Sequence, residues 1–206
     1  MQDAPKIYLI TPEHCELSFY ASDLAEILDE KEIACLRLGL KSSSEEDIKR
    51  HVDCLRDAAH ARDVPVLIDT HYLLVEQLGL DGVHLAKPAS DLRKVREVIG
   101  KDAILGNHCG TSRHEGLTAG EIGVDYVCFG PVEADNLTPE FAEKDLFEWW
   151  SEMVEVPIVA EGNISDAHII ALRDVVDFFC FGQEIWATQD KPKTNMDRIF
   201  NLIEAL

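Results

Sequence analysis

Short apolar runs recur along this chain, and between them lie longer segments in which apolar residues return every three or four positions. The runs at 6–11, 34–38, 66–69, 82–85, 103–106, 126–129, 157–160 and 177–181 have the length and the β-branched and aromatic content of strands. The amphipathic period predicts helices at 20–30, 45–62, 72–78, 91–99, 115–122, 139–153, 166–172 and 193–205. Two of these have visible starts. Ser44 precedes Glu45-Glu46-Asp47 and Ser165 precedes Asp166, which sets an N-cap oxygen beside acids in the first turn.

Strands that are apolar on both faces need cover on both faces. Helices between successive strands supply it and require parallel pairing. Right-handed crossovers repeated through eight units close a barrel. An open, doubly wound sheet shows the same alternation, but eight near-equal units in 206 residues fit a (β/α)₈ barrel, the TIM-barrel class of α/β fold, better. No linker or low-complexity tract interrupts the pattern, so residues 1–206 are expected to form one domain.

In such a barrel the binding and catalytic groups stand at the C-terminal ends of the strands. Arg37, Gly39 and Lys41 follow the second strand, Asp69-Thr70-His71 the third, and His84 with Lys87 the fourth. Gly106-Asn107-His108-Cys109-Gly110 ends the fifth, Phe129-Gly130-Pro131 with Glu133 and Asp135 the sixth, Glu161-Gly162-Asn163 the seventh and Gly182-Gln183-Glu184 the eighth. Gly162 and Gly182 would let backbone N–H groups approach a phosphate after the last two strands; equally, they would simply turn tight loops. Glu161 and Glu184 oppose a phosphate there unless they point away from it. Arg37, Lys41 and Lys87 would gather cations at the mouth for an anion such as a diphosphate. The two lysines read equally well as surface residues, whereas an arginine inside an apolar strand needs a reason to be there.

Charge then narrows the partners. The 39 acidic against 19 basic residues give a net charge of -20, which repels nucleic acid and anionic lipid and leaves a small molecule, phosphorylated or heterocyclic, as the expected ligand. No nucleic-acid or membrane partner is expected. The six cysteines form no C-x-x-C pair and read as buried, reduced thiols. The first residues lack a basic segment followed by a long apolar stretch, and no run nears about 18 apolar residues, so a cytoplasmic, soluble protein is expected. The pair Trp149-Trp150 reads as packing or as the contact of a homo-oligomer.

Three stretches are more specific: Asp81-Gly82-Val83-His84-Leu85; Gly123-Val124-Asp125-Tyr126-Val127 leading into Phe129-Gly130-Pro131-Val132; and Val156-Pro157-Ile158-Val159-Ala160 with Gly162 and Ile164. In their order and spacing, over about Tyr8 to Trp186, the chain resembles the thiamine-phosphate synthases and their thiazole-tautomerase relatives. The resemblance implies a transferase that joins a hydroxymethylpyrimidine diphosphate to a thiazole phosphate and releases pyrophosphate with magnesium, a step carried by cations and metal. Arg37 matches the arginine of that family's Gln-Leu-Arg-x-Lys motif, while Cys35 stands at its glutamine and Gly39 at its lysine, with Lys41 two residues on. Thr70, beside Asp69, and Ala89, near Asp91, stand at the two metal aspartates, and Lys87 stands at a glutamine. His108-Cys109-Gly110 replaces Ser-Thr/Cys-His, and Glu133-Ala134-Asp135-Asn136-Leu137 replaces the phosphate-gripping stretch. Pro131 takes the place of the tautomerase histidine, Asn163 that of a glycine, and Gln183 that of the serine in the last phosphate loop.

Carried over residue by residue, the resemblance implies catalytic roles for Arg37, Lys41, Asp69, His71 and His108. It implies substrate or phosphate binding by Lys87, His84, Gly130, Pro131, Glu161, Gly162, Asn163, Gly182 and Gln183. Magnesium is implied without a matched carboxylate, and no metal ligand is assigned. Two other readings stay open. One is a non-catalytic binder of a thiamine-related or other small ligand. The other is a barrel enzyme in which Asp69, His71, His84, His108, Glu133 and Glu161 form a transition-metal site or an acid/base pair, although His84 alone also reads as a wall residue.

Overall fold

The computed structural model describes residues 4–12, 17–39, 44–86, 91–134, 139–187 and 190–204. Eight strands run β1 (Lys6–Ile10), β2 (Ile33–Leu38), β3 (Val66–Asp69), β4 (Gly82–Leu85), β5 (Ile104–His108), β6 (Tyr126–Phe129), β7 (Ile158–Glu161) and β8 (Phe178–Phe181). They pair in sequence order, and β8 returns to β1 in parallel through Tyr8 opposite Cys180, closing the barrel. Around it lie α1 (Leu17–Glu30), α2 (Glu45–His60), a 3-10 turn at Tyr72–Leu74, α3 (Leu92–Ile99), α4 (Arg113–Ile122), α5 (Lys144–Met153), α6 (Asp166–Leu172), α7 (Gln183–Trp186) and α8 (Pro192–Glu204). This is the (β/α)₈ barrel expected from the alternation. Among the described residues no helix is long and apolar enough to cross a membrane.

Three helices differ from the periodic expectation. The segment 72–78 is one 3-10 turn followed by turns, because the link between Asp69 and Gly82 is too short for a full crossover helix. Its periodic residues Leu74, Val75 and Leu78 are nonetheless buried. The helix expected at 139–153 starts only at Lys144, since the Ala142 N–H donates to the Pro131 carbonyl at 2.7 Å and holds the preceding residues against the loop after β6. Helix α7 has no periodic signature, and its Trp186 indole N–H donates to the Ile10 carbonyl at 2.7 Å across the β8–β1 seam.

Alternation along each strand divides the apolar side chains into two sets. Ile7, Leu9, Leu36, Leu38, Val83, Leu105, Phe129 and Phe181 face the helices, and Tyr8, Leu67, Tyr126, Cys128, Val159 and Cys180 fill the lumen. Trp150 is fully buried in the outer layer, edge-on to Phe129, and donates to the Val156 carbonyl at 2.9 Å; Trp149 lies under the Arg113 guanidinium. Trp150 is thus packing within the chain, and Trp149 is partly buried against the same core. Of the cysteines, Cys109, Cys128 and Cys180 are buried and Cys35 is partly so. Cys54 on α2 is exposed, contrary to expectation, and Cys15 lies outside the described residues.

The N-terminal face is tied by a repeated device. Asp81, Asp125 and Asp177 each stand just before an even-numbered strand, and each Oδ2 accepts the N–H at the start of the preceding strand, from Val66, Leu105 and Ile158 at 2.7–2.8 Å. Two of the three specific sequence stretches thus carry aspartates that serve the stability face of the barrel.

Candidate active site

Because paired residues of neighbouring strands point the same way, the lumen set extends upward to the mouth. Arg37 pairs with Leu67, Asp69 with His84, His108 with Cys128, and Glu161 with Cys180. Five polar side chains from five strands therefore converge on the C-terminal end of the lumen.

At its centre is Arg37. Its Nη1 and Nη2 donate to the two oxygens of Glu161 at 3.0 and 2.6 Å, and its Nε lies 3.2 Å from Asp69 Oδ1. The guanidinium also lies 5.6 Å from the Tyr8 ring centroid. Burial alone would push the Glu161 carboxyl up, but the charge and hydrogen bonds of Arg37 outweigh it and hold the group well below the usual carboxylate range. Burial likewise disfavours the charged guanidinium, and Glu161, with Cys180, Tyr8 and Asp69 beside it, more than restores it. Among the described residues the mouth thus holds one cation and two carboxylates.

His84 is fully buried, with Nδ1 2.8 Å from the Tyr126 hydroxyl, which is 2.7 Å from the Tyr8 hydroxyl. This chain crosses the lumen from β4 to β1, and Gly106 makes it possible: a Cβ there would stand 2.0 Å from Tyr126 Cζ. Burial first, and Arg37 second, lower the His84 pKa; burial lowers that of His108, with Glu161 opposing. Both imidazoles are neutral at neutral pH. Candidate ligand atoms of His84, His108 and Glu161 lie within 4.8 Å of one another, so the three could meet at one ion. Against this, both Glu161 oxygens are taken by a guanidinium that would repel a cation.

Magnesium fits less well. Thr70 offers no carboxylate, Asp69 is engaged by Arg37, and Ala89 lies outside the described residues. An octahedral oxygen shell has no start at the matched positions.

The remaining expected residues divide. Lys41 and Lys87 lie outside the described residues. His71, partly buried after β3, donates its backbone N–H to the Asp69 carbonyl at 2.6 Å. Gly130 and Pro131 form the turn after β6, where the Gly130 N–H donates to the Gly110 carbonyl at 3.1 Å. Gly162, at φ +85°, accepts from the Val132 N–H at 2.9 Å. Asn163 turns its amide to the Glu133 carbonyl at 2.9 Å, which binds the loops after β6 and β7 together, and Gln183 is exposed at the start of α7. The loops after β7 and β8 do converge, but on a side chain that sequence reasoning had only weighed as an obstacle: Glu184 accepts from the N–H groups of both Gly182 and Ile164. Also missed were the Tyr8–Tyr126–His84 chain and the Cys128 thiol, which donates to Glu161 Oε2 at 3.1 Å; their lumen-facing register is the signal that could have found them.

Thr70 sits in this mouth at φ +62°, a left-handed conformation that a β-branched residue adopts only under strain. Thr70→Gly is expected to raise unfolding stability by about 1 kcal/mol, read from the urea midpoint at constant m-value.

Comparison with known proteins identifies the chain's relatives. A family model described as thiamine monophosphate synthase matches residues 7–185. The thiamine-phosphate synthase of Rhodospirillum centenum is 36% identical over 184 residues, covering 88% of this chain and 89% of that protein. The thiamine-phosphate synthase of Hyphomonas neptunium is 33% identical over 214 residues, covering 98% and 95%. Among solved structures, the thiamine phosphate pyrophosphorylase of Pyrococcus furiosus superposes with a TM-score of 0.82 at 20% identity, over 97% of this chain and 96% of that one. The orotidine 5'-phosphate decarboxylase of Pyrococcus horikoshii gives 0.69 at 12%, over 97% and 100%; these two likenesses concern the fold. By the family match and the full-length identities, the chain belongs to the thiamine monophosphate synthase family.

Proposed function

We propose that the mouth of this barrel joins a hydroxymethylpyrimidine diphosphate to a thiazole phosphate and releases pyrophosphate. The observation that carries this reading is Arg37, the matched arginine of the motif, standing in the lumen at the C-terminal end of the strands with Glu161 and Asp69. In the coupling, the bond from the pyrimidine's methylene carbon to the diphosphate oxygen breaks and its electron pair leaves on pyrophosphate. The thiazole nitrogen supplies the pair for the new C–N bond and becomes cationic.

Among the described residues of the mouth, Glu161 and Asp69 offer carboxylate oxygens that suit that developing cation. The charge of Arg37 is already matched, so counter-charge for the diphosphate falls to Lys41 and Lys87. Arg37 keeps Glu161 ionised and holds both carboxylates in place. A second reading, a binder of a thiamine-related ligand that does no chemistry, is favoured by Thr70 at a metal-aspartate position.

The test is a coupling assay with the pyrimidine diphosphate and the thiazole, as phosphate and as free alcohol, each with and without magnesium, followed by chromatography of the product. Product is expected, and Lys87→Ala should lower kcat/KM by about 10²–10³, the loss typical of one transition-state charge contact. No product beside a working synthase, with calorimetric binding of the thiazole retained, would leave the binder as the reading.

A further inference from the structure

Three strands, β4, β5 and β7, bring His84, His108 and Glu161 to one point, with a ligand atom of each within 4.8 Å of the others. The coupling makes no use of the three as a set. Each imidazole commits one nitrogen to the barrel: Nδ1 of His84 lies 2.8 Å from the Tyr126 hydroxyl, itself backed by Tyr8, and the His108 ring is hydrogen-bonded to the Gly130 backbone. Metal-binding histidines are generally set in this way, one nitrogen fixed by an outer partner and the other left for the ion. The His84 ring is neutral at neutral pH, so with Nδ1 donating to the Tyr126 oxygen its Nε2 carries a lone pair. His108 is neutral as well, and Glu161 is ionised.

Arg37 opposes a cation here, but it does not close the site. Its Nε is turned to Asp69, so the guanidinium is shared between two carboxyl groups. A carboxylate offers about four lone-pair sites, and the two Nη donors take one on each oxygen of Glu161. Oε2 accepts a further donor, the Cys128 thiol at 3.1 Å, so it serves a second group besides Arg37. Two nitrogens and one oxygen make a poor start for magnesium, which takes oxygen ligands in octahedral array, and suit zinc, cobalt or nickel.

We infer that His84, His108 and Glu161 form a binding site for one divalent transition-metal ion of the zinc class, separate from any magnesium that the coupling uses. Closing the donors onto an ion at about 2.0–2.1 Å asks for a small inward rotation of the rings. Three protein donors leave one position open, where an oxygen of an anionic ligand completes the shell. The inference does not rest on the coupling reading.

The test uses the whole chain without a histidine tag, stripped with a chelator and titrated with zinc chloride in a calorimeter. One zinc equivalent is expected that His84→Gln and His108→Gln each bind at least roughly 100-fold more weakly, while a roughly tenfold excess of magnesium leaves the parent's titration unchanged. Tyr126→Phe keeps all three donors and removes only the hydroxyl behind His84. Its zinc affinity should fall roughly 10- to 100-fold, and it carries the test if the histidine variants do not melt cooperatively. Cobalt(II) gives a reading without substitution: the parent should show the strong visible absorption of a four- or five-coordinate ion. A parent that binds no zinc or shows only the weak absorption of six-coordinate cobalt, folded variants that bind zinc as the parent does, or magnesium that displaces zinc would each overturn the inference.

Discussion

Arg37→Met is expected to lower the stability of the chain by about 3–5 kcal/mol, the usual cost of removing one partner from a buried ion pair. The side chain of Arg37 is 6% exposed, and those of Glu161 and Asp69 are 20% and 23% exposed, so little water is available to take its place. Two carboxylates would then share the mouth with neutral imidazoles and no described cation. The cheapest relief is protonation of Glu161, whose depressed pKa exists because of Arg37. The variant should therefore lose least at pH 5 and most at pH 8, and Arg37→Met with Glu161→Gln should recover part of the loss. Urea denaturation at the two pH values checks this. A loss under about 1 kcal/mol would put the pair in the class of solvated surface bridges.

The second large effect is a fall in stability on mild acidification. His84 and His108 have folded pKa values below the unfolded value of about 6.5, so the stability they permit is complete above that pH. As pH falls below it, the unfolded chain takes up protons that the folded chain refuses, and stability drops by about 1.4 kcal/mol per pH unit for each imidazole until its folded pKa is reached. Glu161 does not contribute in this window. Its folded value is depressed, so its share is lost only as pH falls below the ordinary carboxylate range and through the folded value. His84→Gln should remove one imidazole's share of the slope between pH 6.5 and 5 in denaturation curves. An unchanged slope would mean that His84 takes up its proton in the folded barrel.

How much of this could be read from the residues follows from what each feature depends on. Every strand came within two residues of its bounds, because short apolar runs and β-branched or aromatic content are local properties. Arg37, Asp69, His84, His108 and Glu161 could be named together because a closed parallel barrel sends every strand end to one mouth. What they do to one another could not. That Arg37 spends its charge on Glu161 is set by a register running round the whole sheet, and that His84 reaches Tyr126 depends on space left by Gly106. Glu184 was visible as a carboxylate in the loop after β8, but its reach to an amide from another loop is fixed only when β7 and β8 lie side by side. The error at 72–78 is of another kind: the period was genuine and the apolar residues are buried, but the chain between the strands is too short for a helix.

The lumen also gives this barrel a built-in reporter of its own integrity. Burial first, and Glu161 beside them second, push the thiols of Cys128 and Cys180 up, and burial raises Cys109 to about 11, so none of the three offers a thiolate while the barrel is closed. Cys54, exposed on α2, is free to react at once. Alkylation of the native chain thus falls into a prompt phase from the surface and a delayed phase whose rate follows how often the staves of the barrel come apart.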